Sequence, residues 1–241
     1  MCCIESAAEA RLAIDAGADA LGLVSAMPSG PGVIPEERIL EIATGVPQPV
    51  ATFLLTCLTD AGAIIAQHGR CRTSVIQFVA AVAPAQVERV RAALPGITLV
   101  QVVHVTGPEA LAAAREAALV ADALLLDSGR PKAAVPELGG TGRTHDWALS
   151  RRIVEASPVP VFLAGGLDAG NVAAAVAAVG PFGVDVCSGV RSDGRLDPAK
   201  LAAFVAAAAA GRNPDLPQGR GESIRRTPHF PENPDRRRRG A

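Results

Sequence analysis

One pattern restricts this chain more than any other: two textures alternate without a break from the first residues to about residue 211. Short apolar runs, Ala20–Val24, Val50–Leu55, Val75–Val79, Thr98–Val105, Ala123–Leu126, Val159–Ala164 and Val184–Cys187, are separated by Ala-rich stretches whose charges recur at helical spacing. The runs are almost continuously apolar, as expected of strands buried on both faces. The stretches between them predict helices over Ser6–Ala16, Pro35–Ala43, Asp60–Gln67, Pro84–Ala93, Pro108–Leu119, Trp147–Ala156, Ala169–Val179 and Pro198–Ala210. Ser6 suits an N-cap, and Pro84, Pro108 and Pro198 suit first-turn positions. Strands alternating with helices imply a parallel sheet, and eight such units close into a (β/α)8 barrel. An eighth strand has only Met1–Ile4 to draw on, so the barrel is expected to open with a truncated strand.

The remainder, residues 212–241, is a different material. It is rich in Pro, Gly and Arg and ends in Arg236–Arg239. With almost nothing to bury it is expected to be a disordered tail, and its Arg run reads as a solvated extension or a contact for RNA or an acidic partner. The expected organisation is a barrel domain over 1–211 and a tail over 212–241.

Composition narrows the function. Residues 1–211 hold 15 basic against 20 acidic side chains, so the body lacks the basic excess of a nucleic-acid binder. No apolar run approaches the ~18 residues of a membrane span. The N-terminus lacks a basic segment followed by an apolar core, and the five cysteines form no regular framework. Reduced thiols and a cytoplasmic setting are the expectation.

In a parallel barrel the chemistry lies in the loops after the strands. Gly165-Gly166-Leu167-Asp168 leads toward an Ala-rich helix, and Ser188-Gly189 follows the next apolar run. Either these glycines permit tight turns, or their unhindered amides hold a phosphate beside a helix N-terminus. Asp127 closes the run Leu124-Leu125-Leu126 and either caps a loop or, partly desolvated, serves as a general acid. Cys2 tops the opening stub. It reads as an inert thiol, a metal ligand, or a base or nucleophile, and no His stands at metal spacing beside it. His104 ends an apolar run and could reach the mouth, whereas His68, His145 and His229 look peripheral.

Several of these segments together resemble the phosphoribosylanthranilate isomerase family: Asp122–Ser128 (DALLLDS), Gly139–Gly142 with Asp146-Trp147, Leu163–Leu167 (LAGGL) with Asn171-Val172, and Gly183–Val190 (GVDVCSGV). Cys2 with Gly17–Gly22 (GADALG) adds to the likeness, which covers roughly residues 2–210. The resemblance implies an Amadori rearrangement of N-(5-phosphoribosyl)anthranilate in tryptophan biosynthesis, without cofactor or metal. By the same likeness Asp127 is the general acid and Cys2 the general base. Gly165, Gly166, Ser188 and Gly189 become the phosphate site, and Gly139, Gly140 and Thr141 contact substrate. The protein is then expected to be a monomer or homodimer acting on a phosphorylated small molecule. A related isomerase on another phosphosugar-amine, or a non-catalytic barrel binding a phosphometabolite, are the alternatives.

The chain also departs from the family pattern. The opening Lys-Ile-Cys-Gly-Ile-Thr of the family has no Lys here, and its Gly is Cys3. If Met1 is trimmed, Cys2 would carry the α-ammonium group, which favours its thiolate. Where the family has Ser-Pro-Arg, its Arg gripping the anthranilate carboxylate, this chain has Gly30-Pro31-Gly32. A bidentate arginine contact is among the stronger polar contacts, so the aromatic end of the substrate is the altered end.

Overall fold

The computed structural model describes residues 1–129 and 144–211. The expected tail and the segment holding Gly139, Gly140 and Thr141 lie outside the described residues. Seven strands, β1 (Ala20–Val24), β2 (Ala51–Thr56), β3 (Val75–Phe78), β4 (Thr98–His104), β5 (Ala123–Asp127), β6 (Val161–Leu163) and β7 (Gly183–Val184), lie side by side in chain order. Every neighbouring pair is parallel. Helices α1 (Ala7–Asp15), α2 (Glu36–Gly45), α3 (Ala61–Cys71), α4 (Pro84–Ala93), α5 (Ala110–Ala117), α6 (Trp147–Ala156), α7 (Val172–Val179) and α8 (Pro198–Ala210) connect or follow them. This is the expected barrel architecture. No helix among the described residues is long and apolar enough to cross a membrane.

The near-continuous apolar runs follow from burial on both sides. In β5, Leu124 and Leu126 pack outward in the layer shared with the helices, while Leu125 points into the barrel with Val79, Val102 and Ala164. In β2, Leu54 packs outward and Phe53 and Leu55 inward. A strand with water on one face would alternate with polar residues; these have none to spare for solvent.

The opening stub closes the cylinder without being a regular strand. Met1 O accepts from Gly22 N at 2.8 Å, and Ile4 N donates to Gly22 O at 3.0 Å, which tethers the stub to β1. On its other side Cys2 N donates to Val186 O at 2.9 Å. A regular parallel ladder would bring the return bond to Gly22 from Cys3. Cys3 instead sits at φ 61°, in the left-handed region, so the bond slips by one residue and the ladder bulges. Gly22 permits the close passage, since a Cβ there would lie 3.1 Å from Cys2 Cα.

The last strand is shorter than expected. β7 stops at Val184, although Asp185 N still reaches Leu163 O at 2.8 Å before Val186 turns its carbonyl to the stub. Beyond it a hairpin, β8 (Arg191–Ser192) and β9 (Arg195–Leu196), turns on Asp193 and Gly194, both with positive φ. Arg191 locks this hairpin across the seam: its guanidinium reaches both carboxylate oxygens of Glu9 on α1 at 3.0 Å, Gly194 O at 2.8 Å, and Cys3 O.

Ser6 caps α1 as expected, accepting from Glu9 N at 3.2 Å, and Pro84 and Pro198 occupy first-turn positions. Two helix starts differ. Gly107-Pro108-Glu109 forms a turn, so α5 begins at Ala110. Asp168 Oδ1 accepts from Gly170 N and Asn171 N at 2.8 and 3.1 Å, and this local turn delays α7 to Val172.

Candidate active site

The C-terminal ends of the strands surround a cavity that opens to solvent. Cys2 and Asp127, 125 positions apart in the chain, both line it, and so do Gly165, Gly166 and Ser188. The walls beneath are apolar, supplied by Leu55, Val79, Val102 and Leu125.

Asp127 is the last residue of β5, in register with His104 on β4. It is buried, and its Oδ1 accepts from Ser128 N at 2.6 Å. Burial pushes its carboxyl above the ordinary carboxylate value, against the Ser128 amide and the neighbouring His104, which favour the anion. A carboxyl so held gives up its proton at a higher pH than a solvated one, a property that suits proton donation. His104 turns its Nε2 to Val79 O at 3.0 Å and acts on Asp127 from the side.

Cys2 belongs to a cluster of three thiols. Its Sγ lies 3.7 Å from Cys3 Sγ, which lies 2.6 Å from Cys187 Sγ. The hydrogen bond from Cys3 favours the Cys2 thiolate, but burial together with Asp185 and Cys187 outweighs it, and the Cys2 thiol stands above its ordinary value. Cys3 is pushed strongly upward by its contacts with Cys187 and Cys2 and by burial. Cys187 is the exception. Its hydrogen bond with Cys3, helped by Arg191, holds it below the ordinary thiol value despite burial. Among the described residues no group of three or more His, Cys, Asp or Glu is disposed to hold a metal ion.

The glycine turns divide. Gly165 and Gly166 adopt positive φ and bring their backbone to the cavity beside Ser188. Gly189 stands apart from it: a bridge pairs it with Asp168, and a Cβ there would fall 2.0 Å from Leu167 O. Its lack of a side chain lets the two final loops touch. The amides of Gly170 and Asn171 are committed to Asp168, so they are not the bare amides expected at the start of α7.

The chain matches the family model described as N-(5′-phosphoribosyl)anthranilate (PRA) isomerase over residues 1–207. The chain belongs to the PRA isomerase family. It is similar to the enzyme of that name from Haloferax volcanii, 40% identical over 83% of this chain and 88% of the relative. The one from Paracoccus denitrificans is 38% identical over 87% of this chain and 96% of the relative. Among solved structures, the phosphoribosyl anthranilate isomerase of Thermus thermophilus superposes with a TM-score of 0.73 at 28% identity, covering 88% of this chain and 98% of that one. That from Thermotoga maritima gives 0.75 at 25% identity, covering 87% and 97%. The protein is accordingly an isomerase of the PRA isomerase family, with that family's barrel.

Two departures from the PRA isomerase pattern turn out to be one event in space. Gly32, where the resemblance leads one to expect an arginine, and Cys3, where it leads one to expect a glycine, touch. A Cβ at Gly32 would lie 2.5 Å from Cys3 Cβ and 2.9 Å from Cys3 Cα, and Gly32 has φ 76°. The Cys3 side chain thus fills the space in which a side chain at position 32 would begin. Gly30 and Pro31 line the cavity just before it.

Three residues at the site escaped the sequence reading. Asp185 lies inside the run Val184–Cys187, where nothing marked it as a site residue, yet it lines the cavity and lies 3.6 Å from the Met1 ammonium. Arg191 carried no local signal, its partner Glu9 being 182 positions away. His145, expected to be peripheral, is half-buried with Nε2 2.8 Å from Ser150 Oγ, and a Cβ on Gly165 would meet its Nδ1 at 3.1 Å. Burial lowers it to about 4, so it is neutral near pH 7.

Proposed function

We propose that the protein converts N-(5-phosphoribosyl)anthranilate to 1-(2-carboxyphenylamino)-1-deoxyribulose 5-phosphate, an Amadori rearrangement in tryptophan biosynthesis. The observation that carries this reading is the convergence of Cys2 and Asp127 on one cavity that also holds Gly165, Gly166 and Ser188. Asp127, whose carboxyl burial pushes toward the protonated form, donates to the furanose ring oxygen, and the ring opens to a Schiff base. Cys2 takes the C2 proton, giving an enolamine that tautomerises to the ketone. Cys3, donating to the Cys2 sulfur, favours the thiolate needed for that step. The Gly165-Gly166 turn and Ser188 receive the phosphate, and proton transfer needs neither cofactor nor metal.

The family relationship supports the substrate as well, since relatives 33% to 40% identical bear the name of this activity. Expression in a tryptophan auxotroph lacking the isomerase tests the assignment. Growth is expected with the unaltered chain and not with Asp127→Asn or Cys2→Ser. Equal rescue by both variants sinks the roles given to these side chains, and failure of the soluble, folded wild type sinks the substrate.

A second reading, the same chemistry on a phosphosugar-amine lacking the carboxylate, is favoured by the Gly32–Cys3 contact. It predicts that N-(5-phosphoribosyl)aniline is turned over as well as the anthranilate. A strong preference for the anthranilate dismisses it.

A further inference from the structure

Of the five cysteines, three meet at the cavity and the other two are set apart. Cys71 is buried in α3 and pushed up to about 12, chiefly by burial. Cys57 directs its thiol to Ala26 O at 3.3 Å. At the cavity, Cys3 comes from the opening stub and Cys187 from the segment after β7, and their sulfurs stand 2.6 Å apart, against ~2.05 Å in a disulfide. Cys2 is farther from Cys3, at 3.7 Å. All three line the solvent-open cavity, so a small oxidant reaches them along the path a substrate would take.

We infer that Cys3 and Cys187 are a reversible oxidation site, a thiol pair that hydrogen peroxide closes into a disulfide across the seam of the barrel beside Cys2. The cross-link itself is independent of the proposed activity; only its effect on turnover rests on that reading.

The chemistry follows from which sulfur ionises. Cys187, held below the ordinary thiol value by Cys3 and Arg191, is the most nucleophilic of the three. Its thiolate attacks one oxygen of hydrogen peroxide, the O–O bond breaks, and Cys187 becomes a sulfenic acid as hydroxide leaves. The Cys3 sulfur then attacks the Cys187 sulfur. The S–O bond breaks, the hydroxyl leaves as water with the proton from Cys3, and the disulfide forms. Peroxide gains two electrons and the two sulfurs lose them. A dithiol such as dithiothreitol reverses the step by thiol–disulfide exchange.

The disulfide acts on the proposed base directly. Cys3 as a thiol has one proton, which it turns either to Cys187 or to Cys2, and turned to Cys2 it is the contact that most favours the Cys2 thiolate. Cys3 as half of a cystine has no proton to donate, so Cys2 loses that support. The bond also ties the stub to the residue preceding Ser188, at the edge of the phosphate turn.

The test treats the reduced full-length chain with hydrogen peroxide, blocks remaining thiols, and maps cross-linked peptides by mass spectrometry. Expected is a peptide pair joining the N-terminal fragment to that containing Cys187, lighter by two hydrogens. It should persist in Cys2→Ser and Cys57→Ser and vanish in Cys187→Ser and in Cys3→Gly, where glycine suits the positive φ. Isomerase activity should be lost on oxidation, return with dithiothreitol, and resist peroxide in Cys187→Ser. A cross-link that requires Cys2, an absent cross-link, or Cys187→Ser losing activity as fast as wild type overturns the inference. Should the unoxidised chain show no isomerase activity, the peptide map still decides whether the pair exists.

Discussion

The wall formed by β2 to β5 and the seam where β7, the stub and β1 meet are built by different physics. In the wall, strands of four to seven residues pair in unbroken parallel register and bury nearly every side chain. At the seam, β7 has two residues, Cys3 is left-handed, and closure depends on single backbone bonds and the Arg191–Glu9 pair. The wall holds its shape through apolar packing that no one group dominates. The seam holds it through a few polar contacts, and it carries Cys2, Cys3, Cys187 and Ser188. A cylinder with one irregular join places adaptable backbone where ligand chemistry is needed and leaves stability to the other side.

That division is sharpest at Asp127, a wall residue that the wall would be better without. Asp127→Asn should lower kcat/KM by about 10³-fold, or ~4 kcal/mol in the transition state. The same variant should be more stable than wild type at neutral pH. With a folded pKa above the unfolded value of 3.8, the wild type loses stability as pH rises through the folded pKa, and Asn does not titrate. The stability difference should therefore open as pH rises and close below about pH 4, as denaturant titrations across pH will read. Leu124→Ala, three residues earlier in the same strand and fully buried, should do the reverse, costing about 3 kcal/mol of stability with kcat barely changed. If both variants shift stability the same way at neutral pH, the contrast between packing and chemistry within β5 is wrong.

Much of the wall was legible because its cause is local. Leu124-Leu125-Leu126-Asp127 announces a strand buried on both faces with a carboxyl at its mouth, and the structure has both. The seam was less legible because its causes are not local. The left-handed Cys3, the Gly32 that makes room for it, and Arg191 with Glu9 depend on pairings between distant parts of the chain. The late start of α7 was missed for another reason: Asp168 offers its neighbours a turn that competes with the first helical bonds. The hairpin at Asp193-Gly194 did have a local signal, an Asp-Gly pair of the kind that favours tight turns, and it was passed over beside the helix that follows.

The seam's polar clasp should be the next largest effect. Arg191→Ala leaves Glu9 half-enclosed without its partner and removes the donor to Cys3 O, at a cost of about 2 kcal/mol. Desolvation works against the Glu9 anion, but Arg191 and the amides of Glu5 and Leu196 hold its pKa below the ordinary 4.5. A depressed folded pKa means that this contribution is present above pH 4.5 and is lost as pH falls through the folded value. Wild type and Arg191→Ala should thus converge in stability in acid, as thermal melts at a series of pH values will show. A constant gap down to pH 3 would mean that the arginine acts through packing and its backbone bonds alone.

The smallest effect probes the one contact that joins the two family departures. Gly32→Ala places a Cβ against Cys3 Cβ and forces alanine to a positive φ, at a total cost of about 1.5 kcal/mol. The two causes separate in a cycle. Cys3→Gly removes the Cβ that would stand 2.5 Å away but leaves the residue 3 Cα at 2.9 Å and the φ of residue 32 as they were, so Gly32→Ala in that background should keep its backbone cost and the smaller part of the clash. The interaction between the two substitutions should be about 1 kcal/mol, within the range for residues in direct contact. Additivity would mean that the stub simply moves aside, and that Gly32 is required by its own backbone rather than by the thiol. In that case the seam would be looser than the wall even at its tightest point, and a side chain at position 32 would find room without any change at Cys3.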